Sequence, residues 1–142
     1  MPVYGKGLNI RDWLYVVDHC DAIESVIKNG KAGEVYNIGG NNEWANIDIV
    51  NHICKIMDKK MNWDFDSSSL ITFVSDRPGH DLRYAIDASK IKHDCGWVPS
   101  YDFSVGIEKT IDWYLSNQEW LSEVTSGQYK LYYDKFYQQS IS

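Results

Sequence analysis

Apolar residues recur every three to four positions in three stretches of the chain, with short alternating runs between them, which predicts an α/β fold of helices with short strands. In the first stretch Ala22, Ile23, Val26 and Ile27 fall on one helical face, with Asp18 in the place of an N-cap and Asn29-Gly30 as the stop. The second starts near Asn46, a good capping residue, and carries Val50, Ile53, Cys54 and Met57 at helical spacing. In the third, Asp102 caps a helix in which Phe103, Ile107, Ile111 and Leu115 repeat every four residues. A shorter helix is predicted from Ala88 to Cys95, ended by Gly96, and the aromatic tail from Gln118 onward reads as one or two short helices.

Four runs read as strands: Leu8 to Tyr15 after the tight turn Gly5-Lys6-Gly7, Glu34 to Ile38 closed by Gly39-Gly40, Ile71 to Val74, and Arg83 to Ile86. Asp66 to Ser69 is a polar surface loop, and Trp97-Val98-Pro99 interrupts the periodic pattern. Trp13 and Trp97 are assigned to the core. No internal repeat or linker divides the chain, so residues 1–142 are read as a single domain.

Charge narrows the partners. The formal net charge is −6, which argues against nucleic acid or an anionic membrane as a general partner. Only three arginines occur, Arg11, Arg77 and Arg83, so any anion must be met by a local cluster. Cys20, Cys54 and Cys95 stand singly within amphipathic patterns and are read as reduced, core or near-core residues of a cytoplasmic protein. No HExxH or CxxC spacing suggests a metal, and no apolar run reaches the length of a membrane span.

The densest chemistry lies in Asp76-Arg77-Pro78-Gly79-His80-Asp81, directly after a predicted strand. Pro78 fixes its own φ and Gly79 permits a positive one, so the run is a turn of defined shape. Arg77 is suited to phosphate oxygens as a bidentate donor. An ordinary exposed turn has the same composition, and its companions raise this one above that reading. They are Pro2-Val3-Tyr4-Gly5, the run from Ile10 to His19, Tyr36-Asn37-Ile38-Gly39-Gly40 and Arg83-Tyr84-Ala85-Ile86-Asp87. Together these motifs resemble the C-terminal portion of dTDP-glucose 4,6-dehydratase, an extended short-chain dehydrogenase/reductase. The resemblance runs from Pro2 to about Tyr137 and covers less than half of such an enzyme.

The resemblance implies substrate binding. Pro2 and Tyr4 match positions lining the nucleobase, and Arg11 matches a phosphate-binding arginine. Asn46 matches a substrate-contacting asparagine. Asp76, Arg77, Pro78, Gly79 and His80 match the loop that closes on diphosphate and ribose, and Tyr137 matches a tyrosine near the family's C-terminus. Each has a plainer alternative: Tyr4 as a strand aromatic, Arg11 paired with Asp12 or Asp18, Asn46 as a cap, His80 satisfied within its turn. Trp44 and Ala45 stand where the family commonly has a basic and polar pair.

The family's other half is not found in these residues. Gly5-Lys6-Gly7 and Gly39-Gly40 are the only glycine pairs that could receive a dinucleotide, and neither continues to a third glycine before a helical pattern. No tyrosine has a lysine four residues later, so the Tyr-x-x-x-Lys pair of the family does not occur. By resemblance the parent reaction is an NAD-dependent conversion of dTDP-glucose to dTDP-4-keto-6-deoxyglucose, a lyase step in the biosynthesis of deoxysugars such as rhamnose.

The chain is therefore expected to be the nucleotide-sugar-binding lobe without its NAD-binding Rossmann domain. It would bind a dTDP-sugar, carry no cofactor or catalytic residue of its own, be inactive alone, and self-associate through the surface that would dock on that domain. Glu34 to Ile38 would add a strand to that domain's sheet. The alternatives are a non-catalytic binding or assembly module serving a separately encoded Rossmann half, and the lobe of a related nucleotide-sugar epimerase or decarboxylase.

Overall fold

A computed structural model describes residues 1–125 and Gly127. They divide after Ile107 into two compact units. The first contains two small sheets. Strand β1 (Pro2–Tyr4) pairs in parallel with β4 (Thr72–Val74) in the register Pro2 to Thr72, Val3 to Phe73 and Tyr4 to Val74. Pro2 has no N–H to give and sits where a sheet tolerates that, at the first position of a strand. Strand β2 (Ile10–Asp12) pairs antiparallel with β3 (Glu43–Ala45), with Arg11 opposite Trp44.

The strands are shorter than the alternation suggests because pairing, not propensity, delimits them. Of Leu8 to Tyr15 only Ile10–Asp12 has β3 alongside. Arg83 to Ile86 reduces to one parallel bridge between Ile10 and Arg83, closed by Ile10 N–H to Leu82 O at 2.7 Å and Tyr84 N–H to Ile10 O at 3.1 Å. Glu34 to Ile38 is not a strand: no backbone-to-backbone hydrogen bond joins residues 35–39 to any described residue. Its side chains still alternate. Tyr36 and Ile38 pack inward, while Val35 is 78% exposed.

Helix α1 (Val16–Asn29) begins two residues before the predicted cap. Tyr15 occupies the N-cap position without a side-chain bond, and Asp18 lies in the first helical turn, fully buried. Its carboxylate accepts the backbone N–H groups of Ser100 and Tyr101, both at 3.0 Å, and so fastens the loop before the third long helix to α1. The predicted apolar face divides into two stripes. Ala22 is fully buried and Val26 packs on the core, but Ile23 and Ile27, about 100° further round the helix, are 45% and 79% exposed.

Helix α2 (Asn46–Met61) has Ala45 at its N-cap, so Asn46 is its first helical residue and not its cap. Asp66 caps a 3-10 turn (Ser67–Leu70), accepting the Ser68 N–H at 2.8 Å in the segment read as a plain loop. Helix α3 (Ser89–Cys95) ends as anticipated at Gly96, whose φ of 71° is left-handed. Helix α4 (Phe103–Ser116) is capped by Asp102, which accepts the Val105 N–H at 2.9 Å. The main core joins α1 and α3 through Ala22, Ala88, Ile91, Cys95 and Trp97. Cys54 is buried too, but Cys20 is exposed on α1 and Trp13 is 38% exposed, so neither belongs to the core. In the second unit α5 (Gln118–Thr125) sets Trp120 edge-on to Trp113 at 5.0 Å between ring centres.

Candidate functional site

Because β1 and β4 run parallel, the chain leaves both at the same end, and the loop after Val74 emerges beside Gly5. Gly5 donates its N–H to Val74 O at 2.9 Å and holds a φ of 55°. A Cβ there would lie 2.8 Å from the Asp76 carboxylate, so glycine lets the two loops touch. Gly79, with φ 67°, turns the second loop back so that His80 faces Asp76.

Three side chains of this loop form a chain of contacts. His80 Nδ1 lies 2.6 Å from Asp76 Oδ1, and Arg77 Nη2 lies 2.8 Å from His80 Nε2. A guanidinium only donates, so Nε2 takes the acceptor role towards Arg77 and Nδ1 the donor role towards the carboxylate. That hydrogen bond from His80 is the main cause holding the Asp76 carboxyl below its ordinary value, followed by the Arg77 backbone N–H. Tyr4 supports the arrangement. Its ring meets the His80 ring edge-on at 6.3 Å, and the Arg77 guanidinium lies 5.3 Å from its centre.

Arg11 stands at the middle of β2 and is held by a different set. Its Nη1 donates to Ile10 O at 2.6 Å and its Nη2 to Asp81 O at 3.0 Å, while its guanidinium lies 4.5 Å over the Tyr84 ring. Asn9 Nδ2 donates to the same Asp81 carbonyl at 3.1 Å, and the Tyr84 hydroxyl donates to the Asp81 carboxylate. This last bond holds the Tyr84 phenol above its ordinary value, with Arg11 and Arg77 both acting in the opposite sense. The two guanidiniums thus bear on one phenol. Arg11 does not pair with its acidic neighbours: Asp12 accepts the backbone N–H groups of Gly40 and Asn42 at 2.8 and 2.7 Å, and Asp18 is engaged elsewhere.

The structure brings Tyr4, Asp76, Arg77 and His80 into direct contact and sets Arg11 beside the same loop through Asp81. Pro2 lies two residues before Tyr4 in β1 and so shares its face of the sheet. Pro78 and Gly79 form the exposed tip of the loop. Asn46 joins through its backbone, donating its N–H to Asn9 O at 3.0 Å. Tyr137 lies outside the described residues. Trp44 packs against Phe103 at 4.6 Å and His52 at 5.9 Å, which accounts for an apolar residue next to Asn46. Asn9, Asp81 and Tyr84 escaped the sequence reading, although Asp81 and Tyr84 stand inside the quoted motifs. Arg83 is neutralised by Glu43 through bonds of 2.7 and 2.8 Å, which leaves Arg11 and Arg77 to meet an anion.

Neither glycine pair fits a dinucleotide pyrophosphate. Gly5 and Gly7 join strand to strand, and a Cβ on Gly7 would meet Ile47 and Val3 within 3 Å. Gly39 and Gly40 lead into β3 and are backed by Asp12, Ile86 and the Trp13 carbonyl. Among the described residues no group of three acidic, cysteine or histidine side chains could hold a metal, and no helix is long and apolar enough to cross a membrane. A cavity of about 360 Å³ lies away from the loop, lined by Ile86, Asp87, Lys92, Trp97 and Val98 among others.

Residues 1–110 match the family model described as GDP-mannose 4,6 dehydratase. A dTDP-glucose 4,6-dehydratase from Escherichia coli is 57% identical over 133 residues, an alignment that takes in 91% of this chain and 37% of that protein. Two crystal structures of dTDP-glucose 4,6-dehydratases superpose well. That from Bacillus anthracis, in complex with NAD, is 49% identical with a TM-score of 0.71. That from Streptomyces venezuelae, with NAD and TYD bound, is 38% identical with a TM-score of 0.72. Each match covers 84% of this chain and 35% of the other. The chain thus spans little more than a third of the length of these relatives.

Proposed function

The chain belongs to the GDP-mannose 4,6-dehydratase family and is similar over nearly its whole length to dTDP-glucose 4,6-dehydratases, and from that premise we propose that it is the C-terminal lobe of such an enzyme, gripping the nucleotide diphosphate of a dTDP-sugar. The observation that carries this is the convergence of Tyr4, Arg77 and His80 on one loop, with Arg11 tied to that loop through Asp81. Two guanidiniums supply planar donors for the two phosphates, and the face shared by Pro2 and Tyr4 supplies a flat apolar surface for the base. Asn46, Asp76, Pro78 and Gly79 shape the remainder of the grip, and Tyr137 belongs to it by family position.

On this reading the chain's residues bind and orient substrate, and the hydride and dehydration chemistry of the conversion to dTDP-4-keto-6-deoxyglucose resides in a Rossmann domain that supplies the NAD. The NAD-bound relatives support a cofactor in the complete enzyme. The glycine packing described above supports its being held by other residues. Taken alone, the lobe is inactive and cytoplasmic. The backbone of residues 35–39 joins no described strand, and among the described residues only its Val35 carbonyl is met, by Lys90 Nζ at 2.8 Å; with Val35 and Ile27 exposed, this supports docking of the segment on a sheet edge supplied by that domain.

Isothermal titration of the purified chain with dTDP and with UDP tests the proposal. Saturable binding of dTDP, weakened at least tenfold by Arg77→Ala, is the expected result, since one charge-assisted hydrogen bond is worth about 1.5–3 kcal/mol. Binding that Arg77→Ala and Arg11→Ala leave unchanged would overturn it.

A further inference from the structure

We infer that Asp81 and Tyr84 are positioning residues which together aim the Arg11 guanidinium. The inference rests on the grip proposed above and adds to it two side chains that the sequence motifs did not single out.

Four groups form a closed ring around Arg11. The Ile10 carbonyl accepts from Arg11 Nη1 at 2.6 Å and from the Tyr84 backbone N–H at 3.1 Å. The Asp81 carbonyl accepts from Arg11 Nη2 at 3.0 Å. The Asp81 carboxylate then accepts from the Tyr84 hydroxyl, and the Tyr84 ring lies 4.5 Å beneath the guanidinium carbon. Tyr84 is therefore tied at both ends, by its backbone to the strand that carries Arg11 and by its phenol to the loop that carries Arg77 and His80.

The arrangement determines what Arg11 can offer. A guanidinium has five N–H donors in one plane. One face of that plane lies against Tyr84, and two of its donors are committed to backbone carbonyls. The others have no partner among the described residues, so they are held in a fixed direction and available to an anion. A flexible arginine would instead lose side-chain entropy when it bound. The phenol has a second effect. The Asp81 carboxylate meets the same phenol on which both guanidiniums act, and a bare carboxylate there would repel a diphosphate. The Tyr84 hydroxyl gives that carboxylate a hydrogen-bond donor.

The device also couples the two arginines. Asp81 directly follows His80, whose ring holds Arg77. A shift of the loop that repositions Arg77 therefore moves the carbonyl that holds Arg11. Tyr84 is 53% exposed, so its side chain is not needed to fill the core, and its substitution is a test of this ring rather than of folding.

The experiment is NMR of the arginine Nε–H groups of the whole chain, first without ligand and then with dTDP. In the parent the Arg11 Nε–H signal is expected to be displaced by the Tyr84 ring current. Tyr84→Leu should abolish the displacement and weaken dTDP binding about tenfold. Tyr84→Phe keeps the ring and breaks only the phenol bond. It should retain the displacement and weaken dTDP binding through the exposed carboxylate, and Asp81→Asn in that background should restore the affinity. A merely structural role would give no such rescue. Asp81→Asn alone should return the Tyr84 phenol toward its ordinary titration. An Arg11 signal identical in the parent and in folded Tyr84→Leu overturns the inference, and does so even if the parent binds dTDP. A parent that binds no dTDP, but whose Arg11 signal is released by Tyr84→Leu, refutes the proposed grip and leaves the positioning of Arg11 standing.

Discussion

Replacing Asp18 with asparagine should be far more damaging than the near-identical shape of the two side chains suggests. Both carboxylate oxygens accept backbone N–H groups, from Ser100 and Tyr101 at 3.0 Å each, and the residue is fully buried. Asparagine can present its single oxygen to only one of these donors. Its amide NH2 must then face the other, so one charge-assisted bond, worth about 1.5–3 kcal/mol, is lost and one buried N–H is left unsatisfied at a cost of about 1–3 kcal/mol. The charge also leaves the first turn of α1, where it favours the helix. Together these imply a loss of about 3–5 kcal/mol, from a total of about 5–15 kcal/mol for a protein of this kind. Urea unfolding followed by tryptophan fluorescence should show the midpoint falling by roughly 2 M at a slope of about 2 kcal/mol per M. Amide exchange should become faster at Ser100 and Tyr101 before anywhere else in unit 1–107. A variant within about 1 kcal/mol of the parent, with those amides still protected, would refute the reasoning.

Other expectations follow from the same geometry. Gly40→Ala would set a Cβ 2.1 Å from the Trp13 carbonyl oxygen, a backbone atom that cannot swing away, and should cost about 1–3 kcal/mol in the same unfolding assay. The Asp76 carboxyl is held below its ordinary value, so the bond with His80 contributes fully above the unfolded value of about 4 and is lost as pH falls through the lower folded one. Carboxyl 13C shifts of Asp76 should titrate below those of an ordinary aspartate, and His80→Ala should move that titration upward. A segment at 35–39 that no described strand pairs with, beside exposed Val35, should let the isolated chain self-associate, with Val35→Lys reducing the effect in sedimentation velocity; a parent that remains a monodisperse monomer over a wide concentration range would count against it.

Helices were legible in the sequence where the apolar period was long and a chemical stop was present. Gly96 ended α3 and Asp102 capped α4 as read. Asp18 shows where that reasoning fails. An aspartate at a helix start has the same local signal whether it caps its own helix or accepts N–H groups from a loop more than 80 residues away, and only tertiary structure separates the two. The strands were legible as apolar runs but not in extent, because three-residue strands are delimited by partners such as Thr72–Val74 for Pro2–Tyr4, distant in the chain. Glu34 to Ile38 keeps the alternation of a strand although no described strand pairs with it. In the candidate site the charged turn and its arginines stood out by composition. Asn9 and Tyr84 did not, because their roles depend on the Asp81 carbonyl and carboxylate, and no sequence pattern records where those point.

The central claim is that Tyr4, Arg11 and the loop from Asp76 to His80 form one grip for a nucleoside diphosphate. Amide NMR of the chain titrated with dTDP examines it most directly. Saturable shifts concentrated at Tyr4, Arg11 and Arg77 to His80, and abolished by Arg77→Ala, are the predicted result. Shifts that fall instead around Lys92 and Trp97 in the 360 Å³ cavity, or a folded chain whose amides do not respond at any dTDP concentration, would contradict it.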